Sequence, residues 1–137
     1  MANRDDAEVL FANERFYAAF AAGDAGAMTA LWGKEGLVMC MHPGWEPLVE
    51  RNHVLASWTA ILQTPPPIRC HVIKVVPQGD DGASVLCWEE INGHFIVATN
   101  AFRREADGWK IVHHQAGPST GTPPKSEPTP TASTALN

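Results

Sequence analysis

Ser84-Val85-Leu86-Cys87-Trp88-Glu89-Glu90-Ile91-Asn92-Gly93-His94-Phe95-Ile96-Val97-Ala98-Thr99-Asn100 holds two runs of β-forming residues around a single Asn-Gly step. Asn-Gly is a strong short hairpin signal because both turn positions need positive φ. A two-residue turn there sets Ile91 opposite His94, and alternation then pairs Glu89 with Ile96, Cys87 with Ala98 and Val85 with Asn100. One face of this hairpin carries Val85, Cys87, Glu89, Ile96, Asn100 and Phe102. The other carries Leu86, Trp88, Glu90, Val97, Thr99, Ala101 and Arg103.

Strand-like segments flank the hairpin, from Arg69 to Val76 before it and from Trp109 to Gln115 after it, with Asp107-Gly108 marking a second turn. With the turn at Asp107-Gly108, Phe102 meets His113 and Arg104 meets Ile111; a longer loop puts Asn100 opposite His113. Both registers place His113 on the face of Glu89 and Asn100, and Val112 and His114 on the other. Glu89, Asn100 and His113 are thus polar groups on the more apolar face. Each needs a hydrogen-bond partner or a ligand, since burial without one costs roughly 1–3 kcal/mol.

The first half reads as helices. After Asp5 or Asp6 as cap, Val9, Ala12, Phe16, Ala19 and Phe20 recur on one helical face until Gly23. Asp24 caps a short second helix through Met28, Leu31 and Trp32. Leu37 to Met41 is continuously apolar and reads as a strand buried on both faces. Past Pro43-Gly44, the residues Val54, Trp58, Ile61 and Leu62 form a third helical stripe, ended by Pro65-Pro66-Pro67. Helices followed by an antiparallel sheet must bury one sheet face, which gives an α+β domain with a helix-lined concavity.

The chain has 137 residues, 45% of them hydrophobic, enough for one core. Residues 1–116 form the expected domain. Residues 117–137 hold five prolines among Thr and Ser, with Ala132, Ala135 and Leu136 as their apolar side chains, and are expected to be a disordered tail. A formal charge of -5 argues against nucleic acid. There is no membrane-length apolar run or secretion signal, so a cytoplasmic protein is expected. Three cysteines in apolar settings, Cys40, Cys70 and Cys87, read as buried thiols. Glycine-rich phosphate loops and paired Cys-x-x-Cys spacings are absent, so no cofactor is expected. His113 and His114 alternate across a strand and cannot chelate together. A metal held by His113, His42 and Glu89 would need a convergence that spacing does not supply, so no metal is expected.

Phe16-Tyr17-Ala18-Ala19-Phe20 before Gly23-Asp24, His42-Pro43-Gly44-Trp45, Ser57-Trp58, Ala98-Thr99-Asn100-x-Phe102 and Trp109-x-Ile111-Val112-His113-His114 together resemble the SnoaL-like members of the nuclear transport factor 2-like superfamily. The resemblance spans about residues 7–118. It implies a cone of curved sheet wrapped around N-terminal helices, usually dimeric, with an apolar pocket used for isomerase, dehydratase, cyclase or epoxide-opening chemistry in some members and for binding in others. By resemblance to the ketosteroid isomerases of that superfamily, His42 takes the place of the base and Asn100 that of the oxyanion-binding acid. The first-helix phenol falls on Phe16, with Tyr17 about 100° around the helix.

The expected function is therefore a pocket for a small apolar molecule. His42 would serve as base at the pocket mouth, Asn100 as hydrogen-bond donor and His113 or Glu89 as support, with Phe16, Tyr17, Phe20, Trp32, Trp45, Trp58, Cys87 and Phe102 as lining. Each polar residue has a plainer reading. His42 also suits a turn, Asn100 a tie between strands, and Glu89 a carboxylate paired with Arg69 or His113. The alternative for the whole chain is a non-catalytic dimeric binding or assembly module. Leu86, Trp88, Val97, Ala101 and Val112 supply the apolar outer face for a homodimer.

Overall fold

The computed structural model describes residues 4–124. Three helices, α1 (Arg4–Ala22), α2 (Ala25–Leu31) and α3 (Arg51–Ile61), precede or interrupt five strands: β1 (Met39–Met41), β2 (Ile68–Pro77), β3 (Gly82–Ile91), β4 (His94–Glu105) and β5 (Gly108–Gly117). The sheet order is β1-β5-β4-β3-β2. It is an open α+β cone: α1 lies against β2, β3 and β5, and α2 and α3 close the side near β1 and β5.

The hairpin forms as its sequence dictates. Asn92 and Gly93 take φ 53° and 80°, the conformation of a type I′ turn, and Ile91 pairs with His94, Glu89 with Ile96, Cys87 with Ala98 and Val85 with Asn100. Gly23 ends α1 at φ 66°, and a Cβ there would stand 2.8 Å from the Leu62 carbonyl oxygen. Glycine is therefore fixed both by conformation and by the close approach of the end of α3. Asp24 caps α2, its side chain accepting from the Ala27 N–H at 3.0 Å. Helix α1 starts at Arg4, before both of the expected aspartate caps.

Three expectations need correction. The sheet is mixed, because β1 runs parallel to β5. As an edge strand, β1 buries Cys40, in line with Val38 just before it, on one side and leaves Met39 45% exposed on the other, so it is not buried on both faces. The third concerns the last hairpin. Glu105 pairs with Gly108 and Phe102 with Ile111, but the register then shifts, and Ala101 meets His113 while Asn100 meets His114. The β-bulge adds one residue to β5 and reverses the facing of all that follows. His114 therefore points inward, and His113 lies on the outer face.

Strand β5 continues through Gly117, paired to Val97. Of the expected tail, residues 125–137 lie outside the described residues. Among the described residues, no helix is long and apolar enough to cross a membrane.

Candidate functional site

The inner face of the sheet and one stripe of α1 bring polar side chains together inside the core. Asn13, Phe16, Tyr17 and Phe20 stand at i, i+3, i+4 and i+7 of α1, and all are buried. The Tyr17 hydroxyl donates to Glu89 Oε2 on β3 at 2.6 Å and accepts from Asn100 Nδ2 on β4 at 3.0 Å. Asn100 Nδ2 also donates to Asn13 Oδ1 at 3.0 Å. With its amide so committed, Asn100 presents its carbonyl oxygen to His114 Nδ1 on β5, 2.6 Å away. His114 is thereby the Nδ1–H donor, which leaves the lone pair on Nε2, 3.9 Å from Glu89 Oε2.

A second group adjoins the first. His42 follows β1, and its Nε2 lies 2.9 Å from Ser57 Oγ on α3. Because Ser57 gives its own proton to the Val54 carbonyl at 2.6 Å, His42 Nε2–H is the donor in that pair and Nδ1 carries the lone pair. The His42 ring packs edge-on to Trp45 and Trp58, each 4.8 Å away between centroids, and 6.2 Å from the His114 ring. Trp45 is 46% exposed, so Trp45, His42 and His114 make a chain of rings from solvent to the polar cluster.

Burial sets the electrostatics. It lowers His42 to a pKa of about 4 and His114 to about 3, so both are neutral at pH 7. It raises Glu89 to about 7, against the opposing pull of the Tyr17 hydrogen bond, and holds Tyr17 well above the ordinary phenol range. Among the described residues, neither Lys nor Arg hydrogen-bonds this cluster. The buried Lys110 donates to the Ala30 carbonyl, and Arg103 is held by Glu105 and the Leu37 carbonyl. The arrangement can hold one proton near neutrality and share it across short contacts.

Of the sequence candidates, Glu89, Asn100, Tyr17 and Cys87 meet in the cluster, and Phe16, Phe20 and Trp58 wall it. His42 is 4% exposed, inside the wall and not at an open mouth. Trp32 and Phe102 are core residues, Trp32 bridging to Ile111. Glu89 pairs with neither Arg69 nor His113. The phenol in the cluster is that of Tyr17, not the Phe16 position. Asn13, Ser57 and His114 were missed. Asn13 was legible, since it stands one turn before Phe16 and Tyr17, whereas His114 depends on the bulge, which leaves no mark in the sequence. His113 is half-buried on the outer face, so His113, His42 and Glu89 do not meet.

Residues 9–119 match the SnoaL-like domain. No match was found among curated proteins. Among solved structures, a candidate dehydratase of the NTF2-like family from Streptomyces avermitilis is 35% identical, with a TM-score of 0.77 over 85% of this chain and 97% of that one. A candidate calcium/calmodulin-dependent protein kinase type II association domain from Thiobacillus denitrificans is 32% identical, with a TM-score of 0.70 over 80% and 93%. A ketosteroid isomerase-like protein from Erwinia carotovora atroseptica shares the fold at 20% identity, with a TM-score of 0.69 over 85% and 97%. Sequence, cone fold and buried polar interior thus agree, and the chain belongs to the SnoaL-like domain family of the NTF2-like superfamily.

Proposed function

We propose that the protein is a proton-transfer enzyme acting on a small, mostly apolar carbonyl compound, with Glu89 as the group that moves the proton. The observation that carries this reading is a carboxyl group buried among aromatic rings, hydrogen-bonded at 2.6 Å by Tyr17 and poised at a pKa of about 7. A general base works best with a pKa near the operating pH, which favours Glu89 over His42 at about 4. The Glu89 carboxylate takes a proton from the carbon next to the substrate carbonyl. It then returns that proton to another carbon of the same molecule, an isomerisation, or to a departing hydroxyl that leaves as water, a dehydration. Asn100 orients Tyr17 and His114 around it.

Trp58 Nε1 supports a ligand at this place. It is a buried donor whose neighbour is the Cys40 thiol, a weak acceptor, and unlike the equally unpaired Nε1 of Trp32 it belongs to a ring that packs against His42. A substrate oxygen entering past Trp45 and His42 would satisfy it. The likeness to a candidate dehydratase points the same way.

The test is proton exchange into deuterated water at the α-carbon of a panel of neutral ketones, lactones and β-hydroxy ketones, followed by NMR. The wild-type chain should accelerate exchange of at least one compound, and Glu89→Gln should lose that acceleration about 100-fold or more, the scale of one general base. Exchange at the buffer rate across the panel would overturn the reading.

One observation favours the alternative, a non-catalytic binding or assembly module. The grooves on the surface, such as the 410 Å³ one between Phe11, Arg15 and Trp109, lie away from the cluster. The likeness to a candidate association domain accords with it. In that case the polar interior is structural, and Glu89→Gln changes stability alone.

A further inference from the structure

We propose that Cys70 and Cys87 form a redox-active dithiol, which a peroxide closes into an intramolecular disulfide next to the buried polar cluster. Strand pairing puts Cys70 opposite Glu89, and Val72 opposite Cys87, so the two cysteines stand diagonally on the inner face of neighbouring strands. Diagonal neighbours on one sheet face lie within reach of each other's side chains. One amide contacts both sulfurs: Asn13 Nδ2 donates to Cys70 Sγ at 3.6 Å and to Cys87 Sγ at 3.7 Å.

The two thiols have unlike environments. The interaction of the two neighbouring thiols holds Cys70 well above the ordinary thiol range and Cys87 below it, with the Asn13 amide adding to the lowering. Cys87 is thus the sulfur that more readily becomes a thiolate. Cys70 is half-buried, and it brings the pair to within reach of solvent, whereas Cys87 is enclosed.

Closing the bond requires β2 to yield slightly, and β2 is built to do so. It is one of the two edge strands of the sheet, paired on one side alone, and its register breaks between Val72 and Lys74, the break starting two residues beyond Cys70. In the reaction, the Cys87 thiol gives up its proton and attacks one oxygen of hydrogen peroxide to give the sulfenic acid, and the hydroxide released takes up that proton and leaves as water. The Cys70 thiol then attacks that sulfur, the S–S bond forms, and the oxygen leaves as water. Two thiols are oxidised, and one peroxide is reduced to two waters.

The dithiol adjoins the cluster through Asn13, whose side-chain oxygen accepts from Asn100. Closing the bond draws together the two sulfurs that Asn13 donates to and changes them as acceptors, so the environment of Asn13 changes, and with it that of Asn100. The inference does not depend on the proposed reaction.

The experiment treats the full reduced chain with hydrogen peroxide, alkylates it under denaturing conditions and maps the peptides by mass. Cys70 and Cys87 should become protected together and be recovered as one linked peptide lighter by two hydrogens, while Cys40 stays alkylated. Dithiothreitol should restore both thiols. In NMR spectra the side-chain amide signals of Asn13 and Asn100 should move on oxidation and return on reduction, and in Cys70→Ser that reversible shift should be lost. Three alkylated cysteines after treatment, a sulfinic acid at Cys87 without a bond to Cys70, or a linkage involving Cys40 or a second chain would each overturn the proposal.

Discussion

Glu89 and the two buried histidines pull the pH dependence of stability in opposite directions. Glu89 has a folded pKa of about 7 against 4.5 for an exposed glutamate, so between those values the folded state keeps a proton that the unfolded state has released. Stability falls as pH rises through that window, by about 3 kcal/mol in all at 1.36 kcal/mol per pKa unit. His42 and His114 are depressed from 6.5 to about 4 and 3, so below pH 6.5 the unfolded state gains protons that the folded state refuses. Their effect is to lose stability as pH falls, and two histidines outweigh one carboxylate between pH 4.5 and 6.5. Stability from these groups should therefore peak near pH 6.5. In urea titrations the difference between Glu89→Gln and wild type should shift in favour of the variant by about 3 kcal/mol from pH 5 to pH 8. A difference that stays constant with pH would show Glu89 to be an ordinary carboxylate.

The last hairpin shows how one residue decides which side chain reaches the site. Asn92-Gly93 carries a turn chemistry that leaves no freedom, so the β3 and β4 pairing was legible residue by residue. Ile111-Val112-His113-His114 carries no such mark. The bulge opposite Ala101 and Phe102 is selected by packing, because it lets Ile111 and His114 both face inward, fully buried. Helix α1 was legible as a stripe, but a narrow one; the observed stripe is wide enough to admit Asn13 and Tyr17 beside Phe16. The bulge makes a sharp prediction for the two adjacent histidines. His114→Ala should cost about 2–4 kcal/mol, because it empties a buried site and strips Asn100 Oδ1 of its donor. His113→Ala, on the outer face, should cost about 0.5 kcal/mol or less. Thermal melts of the two variants check this, and equal losses, or a larger loss at His113, would contradict the register.

At the scale of the whole molecule, the inner face of the sheet is covered by helices and the outer face is not. Leu86 is 36% exposed on β3, and half-buried Trp88, Val97, Ala101 and Val112 continue that surface across β4 and β5, joined by His113 through the bulge. A row of apolar groups on an uncovered sheet face fits a two-fold mate. Among the described residues, the segment after β5 borders this face, with Pro118 beside Val97 and a Cβ on Gly121 3.6 Å from Trp88 Cη2. A homodimer through the outer face is therefore expected, with light scattering giving twice the mass of the chain at micromolar concentration. Leu86→Glu places a charge where the monomer already exposes the side chain, so it should leave the fold intact by circular dichroism. It should weaken the dimer about tenfold or more, since burying an unpaired carboxylate costs well over 1.4 kcal/mol. Deleting 118–137 should leave the dimer in place. A monomeric wild-type chain, or a dimer unaffected by Leu86→Glu, would exclude this face as the interface, and a monomer that dimerises only after the deletion would make the C-terminal segment its occupant.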